Sequence, residues 1–395
     1  MGLDGRHVVV VGAGIGGTAV ALLCARAGAR VTLFEQALEP RAAGAGILLQ
    51  PNGLAVLYGL DLDERLQRRG ARLARLRLAD AGGATILDVP VPRFADGLDH
   101  ALVVRRSELL AALIDLVVAE PRVDCCFGTE IYEVSADGSV THRTPDGPRR
   151  VGADLVVGAD GVHSRVRKQS RVRTHVSHGF RYVRGLGPEM ALEAMTEYWT
   201  GLGIFGLAPV DHGTYFYAST HAEPLASAIA SQDLGLFRDA WAQALPLAGQ
   251  ALAGVSRFED LVVNEVRRID CERWIDGRLV LLGDAAHAMA PNLGQGAGSA
   301  LVDAAVLAWE LAQPGEQEVA LARYEARRRP AVRAVQDLTD RLAWLADLSH
   351  PTLRWLRDGA VRLVGSWLVG EVPLRLVEQA DPLWLRLVAT NPAGT

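Results

Sequence analysis

Three short, mainly apolar runs punctuate the chain, at 7–11, 154–158 and 279–282, a further strand is expected at 30–34, and each leads into a glycine or a carboxylate. Unbroken hydrophobicity over four or five positions fits parallel strands buried on both faces. A helical stretch, 18–27, follows the first run. Ala21, Cys24 and Gly28 keep one side of it small enough to pack closely on a sheet, and Gly28 is placed to cap its C-terminus. Helices are expected at 52–59 and 62–69, with another beginning within 102–110 and Ser107 as its candidate cap. Strands are expected at 75–79, 84–89, 122–127, 130–135 and 140–143. Beyond residue 173 the pattern changes. Runs at 182–185, 194–200, 202–208 and 214–219 mix polar and aromatic positions, followed by a helix over 234–244 and a return strand over 264–269. Alternation puts Tyr215 and Tyr217 on one face of their strand, as candidates for lining a pocket. Helical patterns close the chain at 296–311 and 318–345. The apolar and basic stretch 351–372 reads as a helix packed on the body rather than on a membrane surface.

Composition narrows the class. Hydrophobic residues make up 49% of the 395, a globular value. The net charge is −5 with no basic stripe, which argues against a nucleic-acid partner. The four cysteines, Cys24, Cys125, Cys126 and Cys271, lack metal-ligand spacing. Few cysteines and no recognisable signal peptide point to a reducing cytoplasm. No apolar run reaches the ~20 residues of a membrane helix. Lys168 is the only lysine, so any lysine chemistry would fall on it.

Three glycine-bearing junctions carry the candidate chemistry. In the first, Gly12-Ala-Gly14-Ile-Gly16-Gly17 links a strand to a helix. Gly12 permits the tight turn, Gly14 lets the backbone approach a pyrophosphate, and Gly17 allows close helix–strand packing. Glu35 ends the second strand at about the 20-residue spacing of a ribose-binding carboxylate. This describes a dinucleotide site without separating NAD from FAD. The second junction is Gly158-Ala-Asp160-Gly161-Val-His-Ser164-Arg165-Val-Arg167. Asp160 there either meets a cofactor or braces the turn, and Arg165 and Arg167 offer an anion face. In the third, Gly283-Asp284 ends a strand and Gly294-Gln295-Gly296-Ala297 opens a helix. The carboxylate accepts hydroxyl protons, and the free N–H groups donate to an anion or carbonyl.

Together these motifs, in this order over nearly the whole chain, resemble the group A flavoprotein monooxygenases, the aromatic-hydroxylase family typified by 4-hydroxybenzoate hydroxylase. The resemblance implies an α/β fold. A Rossmann-like FAD-binding domain of the glutathione-reductase type would span 1–172, with part of the substrate sheet near 75–105. A mixed-sheet substrate domain would be inserted at 173–268, the FAD-binding domain completed over 269–330, and a helical region would follow over 331–395. It implies that Glu35 binds the adenosine ribose, that Arg41 and Arg106 approach the FAD phosphates and flavin, and that Asp284 bonds the ribityl chain. It further implies that the amides of residues 294–297 sit at the pyrimidine edge and that Pro291 lies near the reactive face of the ring. Asp160 would serve FAD or NAD(P)H.

The implied reaction is hydroxylation or epoxidation of an aromatic or polyketide-like molecule, with NADH or NADPH as reductant and a flavin C4a-hydroperoxide as oxidant. Its phenol-deprotonating base is open among His178, His212, Tyr215 and Tyr217, while His287 reads as structural. Two other readings share the fold: an FAD-dependent reductase or dehydrogenase, and a flavin-binding protein without turnover. A halogenase is disfavoured, because no two of the eight tryptophans stand two apart. Substrate, nicotinamide preference and oligomeric state stay open at this level.

Overall fold

The computed structural model of the chain describes residues 2–39, 45–94, 97–368 and 379–394. Arg41 lies outside these residues. The strands His7–Val11, Arg30–Phe34, Leu155–Gly158 and Leu279–Leu281 form the centre of one sheet. His7–Val11 pairs in parallel with Arg30–Phe34 on one side and Leu155–Gly158 on the other, and the latter pairs with Leu279–Leu281. Val123–Cys126 closes one edge and the antiparallel pair Ile275–Asp276 the other. The helix Ile15–Arg26 covers this sheet, with every position from Ile15 to Ala25 buried, and the helix Gly296–Ala312 packs against that helix. All three glycine junctions therefore lie at the carboxyl ends of neighbouring strands, where open α/β sheets bind ligands.

A seven-stranded sheet forms the second layer, in the order Val262–Cys271, Thr174–Gly187, Gly213–Ser219, Gly203–Val210, Met195–Thr200, Arg75–Asp80, Thr85–Pro90. On one face Val183, Phe205, Leu207, Phe216 and Ala218 pack against the helices Leu225–Ser231, Leu234–Ala244 and Pro246–Leu252, around the buried Trp241. The opposite face carries Tyr182, Ile204, Ala208, Tyr215 and Tyr217. It packs with Leu48, Ala101 and Val103 of a three-stranded sheet made of Gly46–Leu49, Ala101–Arg105 and Gly70–Leu73.

The α/β class, the inserted mixed sheet and the C-terminal helices agree with the sequence reading. Several local expectations do not. Ser107 caps nothing: the strand Ala101–Arg105 runs straight into the helix Arg106–Ala119, and Arg105 occupies the cap position. Ala101–Arg105 belongs to the three-stranded sheet, so only 75–80 and 85–90 of the stretch 75–105 join the seven-stranded one. The divisions at 268 and 330 cut through single elements, the strand Val262–Cys271 and the helix Gln317–Ala346. Pro330 sits inside that helix without ending it. Among the described residues no helix is long and apolar enough to cross a membrane.

Candidate active site

The first junction is built by contact. Gly12 takes φ +102°, and a Cβ there would lie 2.6 Å from the Ala159 carbonyl oxygen. At Gly17 a Cβ would lie 1.9 Å from the Gly12 oxygen, so helix and turn touch through backbone alone. Gly16 faces Leu282 and Ala300 of the third junction. Gly14 meets nothing within 4 Å; its open side looks into a cavity. Glu35 fixes this loop from below, one carboxylate oxygen accepting from the Ala13 amide at 2.8 Å and the other from Ala37 at 2.9 Å.

Two adjoining cavities, of about 440 and 280 Å³, open between the nucleotide sheet and the seven-stranded sheet. Gly14, Arg106, Arg184, Asp284 and Pro291 line both. Glu35 lines the larger; Gly16, Tyr215, Tyr217, Gly294, Gly296 and Ala297 line the smaller. The helix Gly296–Ala312 starts here with no side chain capping its first amides. Those N–H groups, at the positive end of the helix dipole, stay available to an electron-rich partner.

The third junction rests on a buried ion network. Asp303 accepts from the Gly283 amide at 3.1 Å, from His287 Nε2 at 2.5 Å and from Arg328 Nε at 2.7 Å. Burial pushes the Asp303 carboxyl up, but His287 and Arg328 outweigh it and hold it below the usual range. Arg328 also donates to Gln379 Oε1, whose amide reaches Gln295 and Ser299. The Gln295 side chain turns inward, its Oε1 accepting from Asn52 and Gln379 while its Nε2 is buried without a partner.

Asp160 stands apart from the cavities. Its Oδ2 accepts from the amides of Arg165 and Val166 at 2.6 and 3.1 Å, the turn-bracing arrangement, while Oδ1 is buried without a partner. Arg165 points to Glu130, and Arg167 bonds the carbonyls of Ala285 and Val162, so neither forms an anion face. His178 and His212, 59% and 85% exposed, line neither cavity; His178 pairs with Glu265, itself at the rim of the larger one, and His212 sits in a positive-φ turn beside Asp211.

Two cations meet in the cleft. Arg106 enters from the start of its helix, and Arg184 from the seven-stranded sheet. Neither side chain makes a hydrogen bond or ion pair among the described residues. Burial lowers the pKa of Arg106 from its ordinary value, and Asp284 opposes this. Tyr215 and Tyr217, 7% and 6% exposed with ring centroids 6.0 Å apart, stand beside Arg184, which is in register with Tyr217. Burial raises both phenol pKa values, and for Tyr215 the two arginines oppose the rise. Sequence reading missed Arg184, although alternation along 182–185 places it on the face of Tyr182.

The residues present fit FAD. An open glycine face, a carboxylate at the end of the second strand, a second carboxylate at the third junction and a free helix N-terminus line one continuous cleft. The family described as FAD binding domain matches residues 6–339. The 3-amino-4-hydroxybenzoate 2-monooxygenase of Streptomyces cremeus is 34% identical over 352 residues, covering 85% of this chain and 86% of that protein. The 2-heptyl-3-hydroxy-4(1H)-quinolone synthase of Pseudomonas aeruginosa is 32% identical over 372 residues, covering 90% and 94%. Among solved structures, P. aeruginosa PqsL in complex with 2-aminobenzoylacetate aligns with TM-score 0.78 and 25% identity over 90% of this chain and 99% of that one. The chain belongs to the FAD-binding-domain family and is an FAD-dependent monooxygenase of the class A type.

Proposed function

We propose that the protein inserts one atom of O2 into an aromatic or fused-ring small molecule, by hydroxylation or epoxidation, with NADH or NADPH as reductant. The observation that carries this is the facing of two sets of residues across one cleft. Arg106, Asp284, Pro291 and the 294–297 backbone come from the nucleotide side, and Arg184, Tyr215 and Tyr217 from the sheet. The names of the relatives support a ring substrate, since they specify a hydroxybenzoate and a quinolone.

In this reading Gly12, Gly14, Gly16 and Gly17 shape the pyrophosphate turn, and Glu35 holds the adenosine ribose. Arg41 and Arg106 approach the phosphates and flavin. Asp284 bonds the ribityl chain, Pro291 lies by the ring, and Gln295, Gly296 and Ala297 offer backbone N–H groups to its pyrimidine edge, while the Gly294 amide is spent on the Pro291 carbonyl and that residue serves by shaping the turn. Asp160 supports the site by holding the second junction's turn. Bound FAD supplies the acceptance of two electrons from NAD(P)H and the activation of oxygen. The protein's part is orientation, exclusion of water and a positive field: the helix end at Gly296 and the Arg106 guanidinium both favour negative charge beside them.

The test is a screen of hydroxylated and amino-substituted aromatics and quinolones for stimulated NAD(P)H oxidation. A matching uptake of O2 and a product heavier by one oxygen atom support the reading. Oxidation that no ring compound stimulates, with all oxygen released as hydrogen peroxide, favours a reductase instead.

A further inference from the structure

A carboxyl group is set into the pocket face of the seven-stranded sheet, and cofactor binding makes no use of it. On Met195–Thr200 alternation places Met195, Glu197 and Trp199 on one face. Across the strands Glu197 stands opposite Gly206, and Gly206 opposite Tyr217. A Cβ at Gly206 would lie 2.0 Å from the Tyr217 ring, so the missing side chain is what lets the ring lie over that strand. The Tyr217 hydroxyl thereby reaches Glu197 Oε2 at 2.7 Å. The other carboxyl oxygen accepts from Trp199 Nε1 at 2.8 Å. Behind Trp199, the Arg357 guanidinium lies 4.5 Å from the indole ring and bonds the carbonyls of Leu345 and Ala346. Both oxygens of Glu197 are thus engaged, and Tyr217, which lines the smaller cavity, connects the carboxyl to the cleft.

The neighbouring groups divide by charge. Arg184 stands beside Tyr217, Tyr182 and Tyr215 flank it, and Arg106 faces them across the cleft. Asp347 acts on Tyr182 from the far side, and Arg357 lies behind Trp199. Burial raises the Glu197 pKa, which brings its proton affinity closer to that of an acidic phenol. The Tyr217 phenol, pushed well above its ordinary value, holds no lasting negative charge but can take one proton while passing on another.

We propose that Glu197, acting through Tyr217, is the proton acceptor for an ionisable O–H or N–H group on the ring substrate, and that Arg184 holds the resulting anion. The substrate's O–H or N–H bond breaks and its proton goes to Tyr217 Oη. The Tyr217 O–H bond breaks in the same event and that proton goes to Glu197 Oε2. No electrons are transferred to or from the protein: one carboxylate charge is lost, one substrate charge appears, and the cleft's total is unchanged. No proton has to cross to solvent. The relay works only while Glu197 is ionised, so it fails as pH falls through that group's raised pKa. The inference rests on the ring-monooxygenase reading for its substrate class.

The test uses FAD-loaded protein and 4-nitrophenol, without reductant. Phenolate absorption is read together with the infrared band of a protonated carboxyl. About two pH units below the probe's solution pKa, bound probe should show a phenolate fraction about tenfold above free probe, the equivalent of one pKa unit. A carboxyl band should appear with it. In Glu197→Gln and Tyr217→Phe both signals should fall away while the probe still perturbs the flavin spectrum. Three results would overturn the proposal: wild-type protein that binds the probe without the carboxyl band, a Glu197→Gln protein with an undiminished phenolate signal, or FAD-loaded protein that binds no probe. Neither NAD(P)H nor O2 enters the measurement, so the relay can fail while product formation still upholds the monooxygenase, and an uncoupled enzyme would not hide proton transfer.

Discussion

Gly14 and Gly17 stand three positions apart in one motif, yet the structure assigns them different work, and alanine separates the two. Gly14 has φ −74° and ψ −176°, an extended conformation open to any residue, and its Cβ would meet nothing within 4 Å. Gly14→Ala should therefore fold, losing no more than about 1 kcal/mol for the poorer helix cap. The added methyl projects into the cavity where a pyrophosphate would approach. Crowding of this size costs about 1–3 kcal/mol, which is roughly a 5- to 150-fold weaker affinity for FAD. At Gly17 the methyl would stand 1.9 Å from the Gly12 oxygen, a backbone atom with no room to yield. Gly17→Ala should lose more than about 4 kcal/mol, beyond the ordinary range for a point substitution. The assay is quenching of FAD fluorescence on titration into apo-protein, with thermal melts in the presence and absence of FAD. A ligand at 100 times its Kd adds about 2.7 kcal/mol of stability, so Gly14→Ala should melt near wild type without FAD and gain less from it. If Gly14→Ala bound FAD as tightly as wild type, the placement of the pyrophosphate beside that residue would be refuted.

Three further outcomes follow from named contacts. Glu35→Ala removes a carboxylate that accepts two loop amides, bonds to a charged group worth about 1.5–3 kcal/mol each; FAD affinity should drop at least about tenfold in the same titration, and unchanged affinity would count against this role. Asp303→Asn leaves the Arg328 guanidinium, 1% exposed, without its countercharge, and should cost about 3–5 kcal/mol in denaturant unfolding. Because the folded pKa of Asp303 is lowered, its contribution is present above the unfolded carboxyl value and is lost as pH falls through the folded one; wild type should lose stability on acidification more steeply than Asp303→Asn, and parallel slopes would contradict the assignment. Glu197 has the opposite sign, since its folded pKa is raised: relative to wild type, Glu197→Gln should become more stable as pH rises from the unfolded carboxyl value through the folded one, and a difference independent of pH would argue that the carboxyl is not buried.

The central sheet was legible in the sequence because its strands are buried on both faces and leave apolar runs, as at Val8–Val11 and Leu279–Leu282. The tyrosine pair was legible for a similar reason, a strict two-residue alternation. Arg184 in the cleft and Glu197 joined to it through Tyr217 were not, because both placements depend on cross-strand register. That register aligns Glu197, Gly206 and Tyr217 over three strands, and no local pattern encodes it. Ser107 misled for the converse reason. It looks like a cap in isolation, but pairing with Gly46–Leu49 carries the strand as far as Arg105 and moves the helix start with it. The tie from Gln379 through Arg328 to Asp303 joins residues distant in the chain, and only the assembled fold shows that the C-terminal segment buttresses the third junction.

The most direct measurement is oxygen-18 labelling of the product during turnover with NAD(P)H and a ring compound that stimulates oxidation. One labelled oxygen atom should enter the product for each NAD(P)H and O2 consumed, with little hydrogen peroxide. Label found only in peroxide and water, with the ring compound recovered unchanged, would contradict it.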